Sequence, residues 1–168
     1  MMSIAVLVYS KTGNTKQIAV RIKQVCEKRS YKVDIVPIEP QNQPGFLKAG
    51  YSAIRQKTLP ITNEALDVSS YELVFIGSPV WAGKPAPFIK SMLEKTKGFK
   101  KTKSAVFITC AGGEKKDSKV ITLLQRYLQD KDAVVSDASL IVHMSKNGKI
   151  KKEIPSFQDF INTVLPSE

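Results

Sequence analysis

What most constrains this chain is an alternation: short apolar runs rich in β-branched residues are separated by stretches whose apolar positions recur at helical spacing. The runs "SIAVLVY" (Ser3 to Tyr9), "YKVDIVPI", "ELVFIGSP", "SAVFITCAGG" and "ASLIVHM" have the length and Val/Ile content of buried strands. Between them, Ile18, Ile22 and Val25 mark a helix from Asn14 to about Arg29, and Phe88, Ile89, Met92 and Leu93 form one stripe in "PAPFIKSMLEK". Ile121, Leu124 and Leu128 line a further helix, and "SFQDFINTVL" closes the chain as a helix with Ser156 as its N-cap. Strands separated by helices imply right-handed βαβ crossovers. The expected fold class is therefore α/β, a doubly wound five-stranded parallel sheet with helices on both faces. The segment from Glu39 to Ser70, rich at first in Pro, Gln and Asn, breaks the rhythm and is expected to be an irregular loop with one short helix carrying Leu47, Tyr51 and Ile54.

A chain of 168 residues, 42% hydrophobic and 24% charged, buries enough surface for one ordinary domain, expected to span residues 1–168. Cys26 and Cys110 fall in no CxxC or Cys/His cluster, which argues against a disulfide framework or a zinc site. The N-terminal apolar run lacks a basic leader and a small-residue cleavage site, and no run of about 20 apolar residues appears. A cytoplasmic, non-transmembrane protein is expected.

In a doubly wound sheet, ligands sit beyond the carboxyl ends of the strands, at the switch in strand order. The loops after the first, third and fourth strands are thus the places to look. The first, Ser10-Lys11-Thr12-Gly13-Asn14-Thr15, offers hydroxyls, an amide and the N–H groups of a helix N-terminus, with a glycine that lets the backbone bend close to an anion. A helix cap would need only one such residue. The loop is neither a Walker A sequence nor a GxGxxG fingerprint, so a terminal monophosphate suits it better than a nucleoside triphosphate or NAD.

The second loop, "GSPVWAGKPAP" (Gly77 to Pro87), places the only tryptophan on an exposed turn several residues past the strand's end, where its face could stack on a flat heterocycle instead of packing in the core. The third, Thr109-Cys110-Ala111-Gly112-Gly113, reads equally as a close backbone approach to a ligand edge or as a simple turn. His143, in the fifth strand, and Cys26, on the first helix's apolar face, are expected to be structural, whereas Cys110 lies in a ligand-facing loop.

Together these loops resemble those of the flavodoxin-like family. "YSKTGNT" is similar to its phosphate loop, "GSPVWAGKPAP" to the second loop of its reductase-like branch, and "TCAGG" to its third loop. The resemblance implies a 2-1-3-4-5 strand order and one non-covalent FMN. By position, Ser10, Thr12, Gly13, Asn14 and Thr15 would hold the FMN phosphate, with Lys11 adding a backbone N–H. Ser78, Pro79, Val80, Trp81, Ala82 and Gly83 would line the flavin ring, Trp81 stacked on it or edging it, and Ala82-Gly83 would be the peptide near N5. Thr109, Cys110, Ala111, Gly112 and Gly113 would reach the ring's other side or its pyrimidine edge.

The charge departs from the family's electron shuttles, which are typically acidic. Here 26 Lys and Arg against 15 Asp and Glu give +11, concentrated in "EKTKGFKKTK" and "KNGKIKK". Such runs read as solvated faces or as a surface for an acidic redox partner protein, and without interleaved aromatics they make nucleic acid an improbable partner. The favoured function is an FMN electron carrier, monomeric or homodimeric. The alternative is an FMN-dependent NAD(P)H:quinone-type oxidoreductase, in which the Glu39–Ser70 segment serves as lid or contact surface.

Overall fold

The structure is a computed structural model that describes residues 1–112 and 114–166. Its elements in chain order are β1 (Ser3–Val8), α1 (Asn14–Lys28), β2 (Lys32–Pro37), α2 (Phe46–Ile54), β3 (Leu66–Asp67), β4 (Leu73–Trp81), β5 (Lys84–Pro85), α3 (Pro87–Lys95), β6 (Thr96–Lys97), β7 (Lys103–Cys110), α4 (Glu114–Gln129), β8 (Val134–Met144), β9 (Ile150–Ile154) and α5 (Phe157–Val164). The main sheet runs β2-β1-β4-β7-β8-β9. Its first five strands are mutually parallel and correspond to the expected 2-1-3-4-5 order.

The sheet exceeds five strands. β9 adds to β8 antiparallel at one edge, and β5 folds back antiparallel on the end of β4. β9 starts inside the lysine-rich stretch "KNGKIKK" that reads as a solvated run. Only Ile150 and Ile154 in "IKKEI" are apolar, so an edge strand there carries almost no periodic signal.

The central strands are buried on both faces, which is why they read as continuous apolar runs. Alternate residues serve two core layers. Ala5, Leu7, Val74, Ile76, Val106 and Ile108 pack with α3 and α4, whereas Ile4, Val6, Leu73, Phe75, Ala105 and Phe107 pack with α1 and α5. Each fully buried Leu, Ile or Phe contributes about 1.5–3 kcal/mol. α3 starts on Pro87, whose missing N–H costs nothing at a helix start. Ser156 caps α5, its Oγ accepting from the Asp159 N–H at 3.1 Å.

α2 forms where the spacing of Leu47, Tyr51 and Ile54 places it, but that stripe faces outward: these side chains are 85%, 52% and 57% exposed. The packed side consists of Ala49, Ser52 and Ala53, small residues that let the helix backbone lie close to the body of the protein. Among the described residues no helix is long and apolar enough to cross a membrane.

Candidate functional site

β1, β4 and β7 lie side by side, and their carboxyl ends bring the three loops together at the edge where the strand order reverses. In the first loop, Gly13 takes φ 91° and α1 begins without a side-chain cap, so the N–H groups of its first turn point out of the helix unpaired by a cap. A Cβ on Gly13 would meet nothing within 4 Å, and the positive φ, not crowding, is what favours glycine there. Thr15 is sealed beneath the loop, and its Oγ1 lies 2.8 Å from Thr109 Oγ1 at the end of β7. The Ser10 Oγ is buried without a hydrogen-bond partner, an orphan polar oxygen at the point where the chain leaves β1.

A cleft of about 360 Å³ opens over these loops, within the range of small-molecule sites. Its walls include Lys11, Thr12, Asn14 and Thr15 from the first loop, Pro79, Val80 and Trp81 from the second, and Thr109, Cys110 and Ala111 from the third. Ser10 and Gly13 belong to the first loop's backbone but not to the cleft wall, each bordering a neighbouring depression. Ser78 stands apart. It is fully buried, with its Oγ accepting from the Ala86 N–H at 3.0 Å and donating to the Pro79 carbonyl at 2.8 Å, so its hydroxyl closes the second loop on itself. Ala82, Gly83 and Gly112 are also absent from the cleft wall, and Gly113 lies outside the described residues.

Trp81 is not on an exposed turn past the strand. β4 continues through it, because Val80 and Trp81 pair with Pro85 and Lys84 across a two-residue turn in which Ala82 (φ 49°) and Gly83 (φ 72°) both take positive φ, the pattern of a tight hairpin. The indole is half-buried, edge-on to Tyr9 at 5.5 Å and to Phe88 at 6.0 Å, with Lys11 Nζ 5.9 Å from its centroid. These contacts hold the indole at the cleft wall, so packing and ligand contact are not alternatives for it.

Beside Trp81 lies a second cavity of about 540 Å³, lined by Leu47, Ala49, Gly50, Tyr51, Ile54 and Ala82 together with Lys11, Val80 and Trp81, which also line the cleft. The outward stripe of α2 is one wall of this apolar space.

Beneath the third loop, His143 Nε2 sits 3.0 Å from Asp117 Oδ2, both buried, so the lone histidine ties β8 to α4. Cys110 Sγ lies beside the same carboxylate. Burial, reinforced by Asp117, pushes the Cys110 thiol up to about 12.

The structure adds four residues to the cleft that the sequence pattern left out: Met144, Ser145, Lys146 and Lys151, from the end of β8 and the hairpin leading into β9. The signal that could have found them is Asn147-Gly148, a turn dipeptide just past the apolar run of β8. Gly148 takes φ 77° there.

An uncapped helix start, a left-handed glycine in open space and an aromatic side chain on the cleft wall fit a flavin mononucleotide. Comparison with known proteins points the same way. The fold matches a candidate flavoprotein of Bacteroides eggerthii (TM-score 0.68, 18% identity, 86% of this chain and 91% of that one). It also matches a Lactobacillus acidophilus flavoprotein solved in complex with FMN (0.62, 23%, 84% and 93%) and oxidised flavodoxin 2 of Bacillus cereus (0.59, 17%, 96% and 92%). No curated protein sequence matches the chain. The sequence model of one family, NADPH-dependent FMN reductase, matches residues 2–145, which span every parallel strand and all three cleft loops. The chain is thus a member of the NADPH-dependent FMN reductase family, built on a flavodoxin-like fold.

Proposed function

We propose that this chain binds FMN and acts as an FMN-dependent oxidoreductase that takes electrons from NAD(P)H and delivers them to a flat, apolar acceptor of the quinone class. Bound FMN supplies the redox chemistry; the protein binds it, shields it and admits the second molecule. The first loop and the start of α1 would hold the phosphate, and Val80, Trp81, Thr109, Cys110 and Ala111 would bound the ring.

The observation that carries this reading is the second cavity. It is of small-molecule size, apolar, and borders the cofactor cleft, with Lys11, Val80 and Trp81 lining both. An electron carrier needs one exposed flavin edge and a docking face, and gains nothing from a cavity beside it. The carrier reading draws on a different observation: the +11 charge would steer an acidic redox partner protein to the lysine-rich surface.

Stopped-flow mixing of the FMN-loaded protein with NADH or NADPH separates the two. Rapid bleaching of the flavin by the nicotinamide, followed by recovery on adding a quinone, is the expected result. Flavin that stays oxidised until a separate reductase protein is added would establish the carrier instead.

A further inference from the structure

The cleft wall contributed by the β8–β9 hairpin carries charge that a flavodoxin-like phosphate loop does not need. Among the described lining residues the charged ones are Lys11, Lys146 and Lys151, with no carboxylate among them. Two of the three come from this hairpin.

The hairpin is mounted firmly against the phosphate loop. Its turn is closed by Ser145, whose N–H donates to the Lys149 carbonyl at 2.8 Å, whose carbonyl accepts from the Gly148 N–H at 3.1 Å, and whose Oγ accepts from the Lys149 N–H at 2.9 Å. At the tip, a Cβ on Gly148 would stand 3.1 Å from Asn14 Oδ1, so the turn abuts the first residue of α1. Behind the tip, Glu153 on β9 is ion-paired with Arg21 on α1, and the same guanidinium lies 3.9 Å over the Phe157 ring. The loop that presents helix-end N–H groups and the hairpin that presents ammonium groups are therefore two sides of one cleft.

We infer that the β8–β9 hairpin is a cationic clamp on the cofactor phosphate, with Lys146 and Lys151 selecting the phosphorylated flavin by charge while the first loop holds it by hydrogen bonds. This rests on the FMN reading above. Exposed lysines interact through screened Coulomb attraction, so the clamp's share of affinity is strong at low salt and disappears at high salt. A first loop acting alone, through N–H and hydroxyl groups at contact distance, would be far less sensitive.

The test is titration of the flavin-free full chain with FMN and with riboflavin, read by flavin fluorescence at about 0.01 M and about 1 M salt, where the Debye length is about 30 Å and 3 Å. In Lys146→Gln/Lys151→Gln the FMN dissociation constant is expected to rise roughly ten-fold at low salt and to match wild type at high salt. Riboflavin affinity stays unchanged, and Lys149→Gln, on the same hairpin but not on the cleft wall, weakens FMN binding at low salt by less than the replacement of either cleft lysine alone. Equal weakening of riboflavin, equal weakening by Lys149→Gln, or no loss of FMN affinity at low salt would each overturn the clamp. A wild-type chain that binds neither flavin would instead overturn the FMN reading itself, and the clamp with it. Unchanged melting temperatures of the variants exclude misfolding as the cause.

Discussion

Thr15 and Thr109 share a hydrogen bond of 2.8 Å with both side chains almost wholly buried, joining the first turn of α1 to the last residues of β7. It is a covered polar link between the first loop and the third loop. Thr109→Val would take this partner from the buried Thr15 hydroxyl, at a cost of about 1–3 kcal/mol, whereas replacing both threonines by valine removes the orphan as well. Urea unfolding is expected to show the double variant losing less stability than the sum of the single ones.

The five parallel strands could be read from the sequence because burial on both faces leaves no room for polar residues, as in "LVFIG" of β4. The first loop was legible for a related reason: only a ligand or a cap explains so many hydroxyls at one strand end. What escaped was orientation. Ser78 looks like its hydroxyl neighbours in the cleft loops, yet its side chain turns inward to Ala86, which depends on the β4–β5 hairpin and not on composition. The same hairpin carries Trp81, and two consecutive positive φ values, one of them at Ala82, leave no local signature. β9 was hidden because an edge strand with charged side chains on both faces resembles a solvated run.

Gly77 is fixed by its neighbour and not by its backbone angle. A Cβ there would stand 2.5 Å from Phe107 Cε2 and closer still to Cζ, in the core layer shared with α1 and α5. Gly77→Ala should destabilise the fold by about 1–3 kcal/mol through overpacking. Adding Phe107→Leu, which withdraws the ring, should recover part of the loss. Thermal melting of the three variants checks both statements.

The two cysteines should be slow to alkylate in the native state. Burial pushes Cys26 up to about 11, and burial with the Asp117 carboxylate pushes Cys110 up to about 12, so both are thiols at neutral pH. Asp117→Asn removes a group that raises the Cys110 value, and each unit of decrease multiplies its thiolate fraction roughly ten-fold. Peptide mapping after iodoacetamide treatment is expected to show faster labelling of Cys110 in Asp117→Asn, with Cys26 unchanged.

Glu72 links acidity to the start of β1. Its Oε2 accepts from the Ser3 N–H at 2.6 Å and from the Ser3 hydroxyl at 2.9 Å, and these bonds, the backbone one foremost, hold the carboxyl below its ordinary value of 4.5. A pKa depressed by folding means that stability from this group is fully present above the ordinary value and is lost as pH falls through the folded one. Glu72→Gln should therefore flatten the fall in urea midpoint below pH 4.5, leaving the curve at higher pH parallel to wild type.

The outward stripe of α2 offers the most direct probe of the proposed acceptor role of the second cavity. Leu47 and Ile54 are mostly exposed, so Leu47→Gln/Ile54→Gln should change stability by only about 0.5 kcal/mol per site. Both side chains line the cavity beside Trp81 and neither lines the cofactor cleft. An apolar acceptor that covers them would regain part of their transfer free energy, about 1 kcal/mol at each partly covered site, or roughly five-fold in affinity. The expected outcome is a KM for a naphthoquinone raised roughly twenty-five-fold in the double variant, with the FMN dissociation constant unaltered. A KM that does not move, with flavin reduction by nicotinamide intact, would place the acceptor elsewhere on the flavin face and leave the α2 stripe to a protein surface.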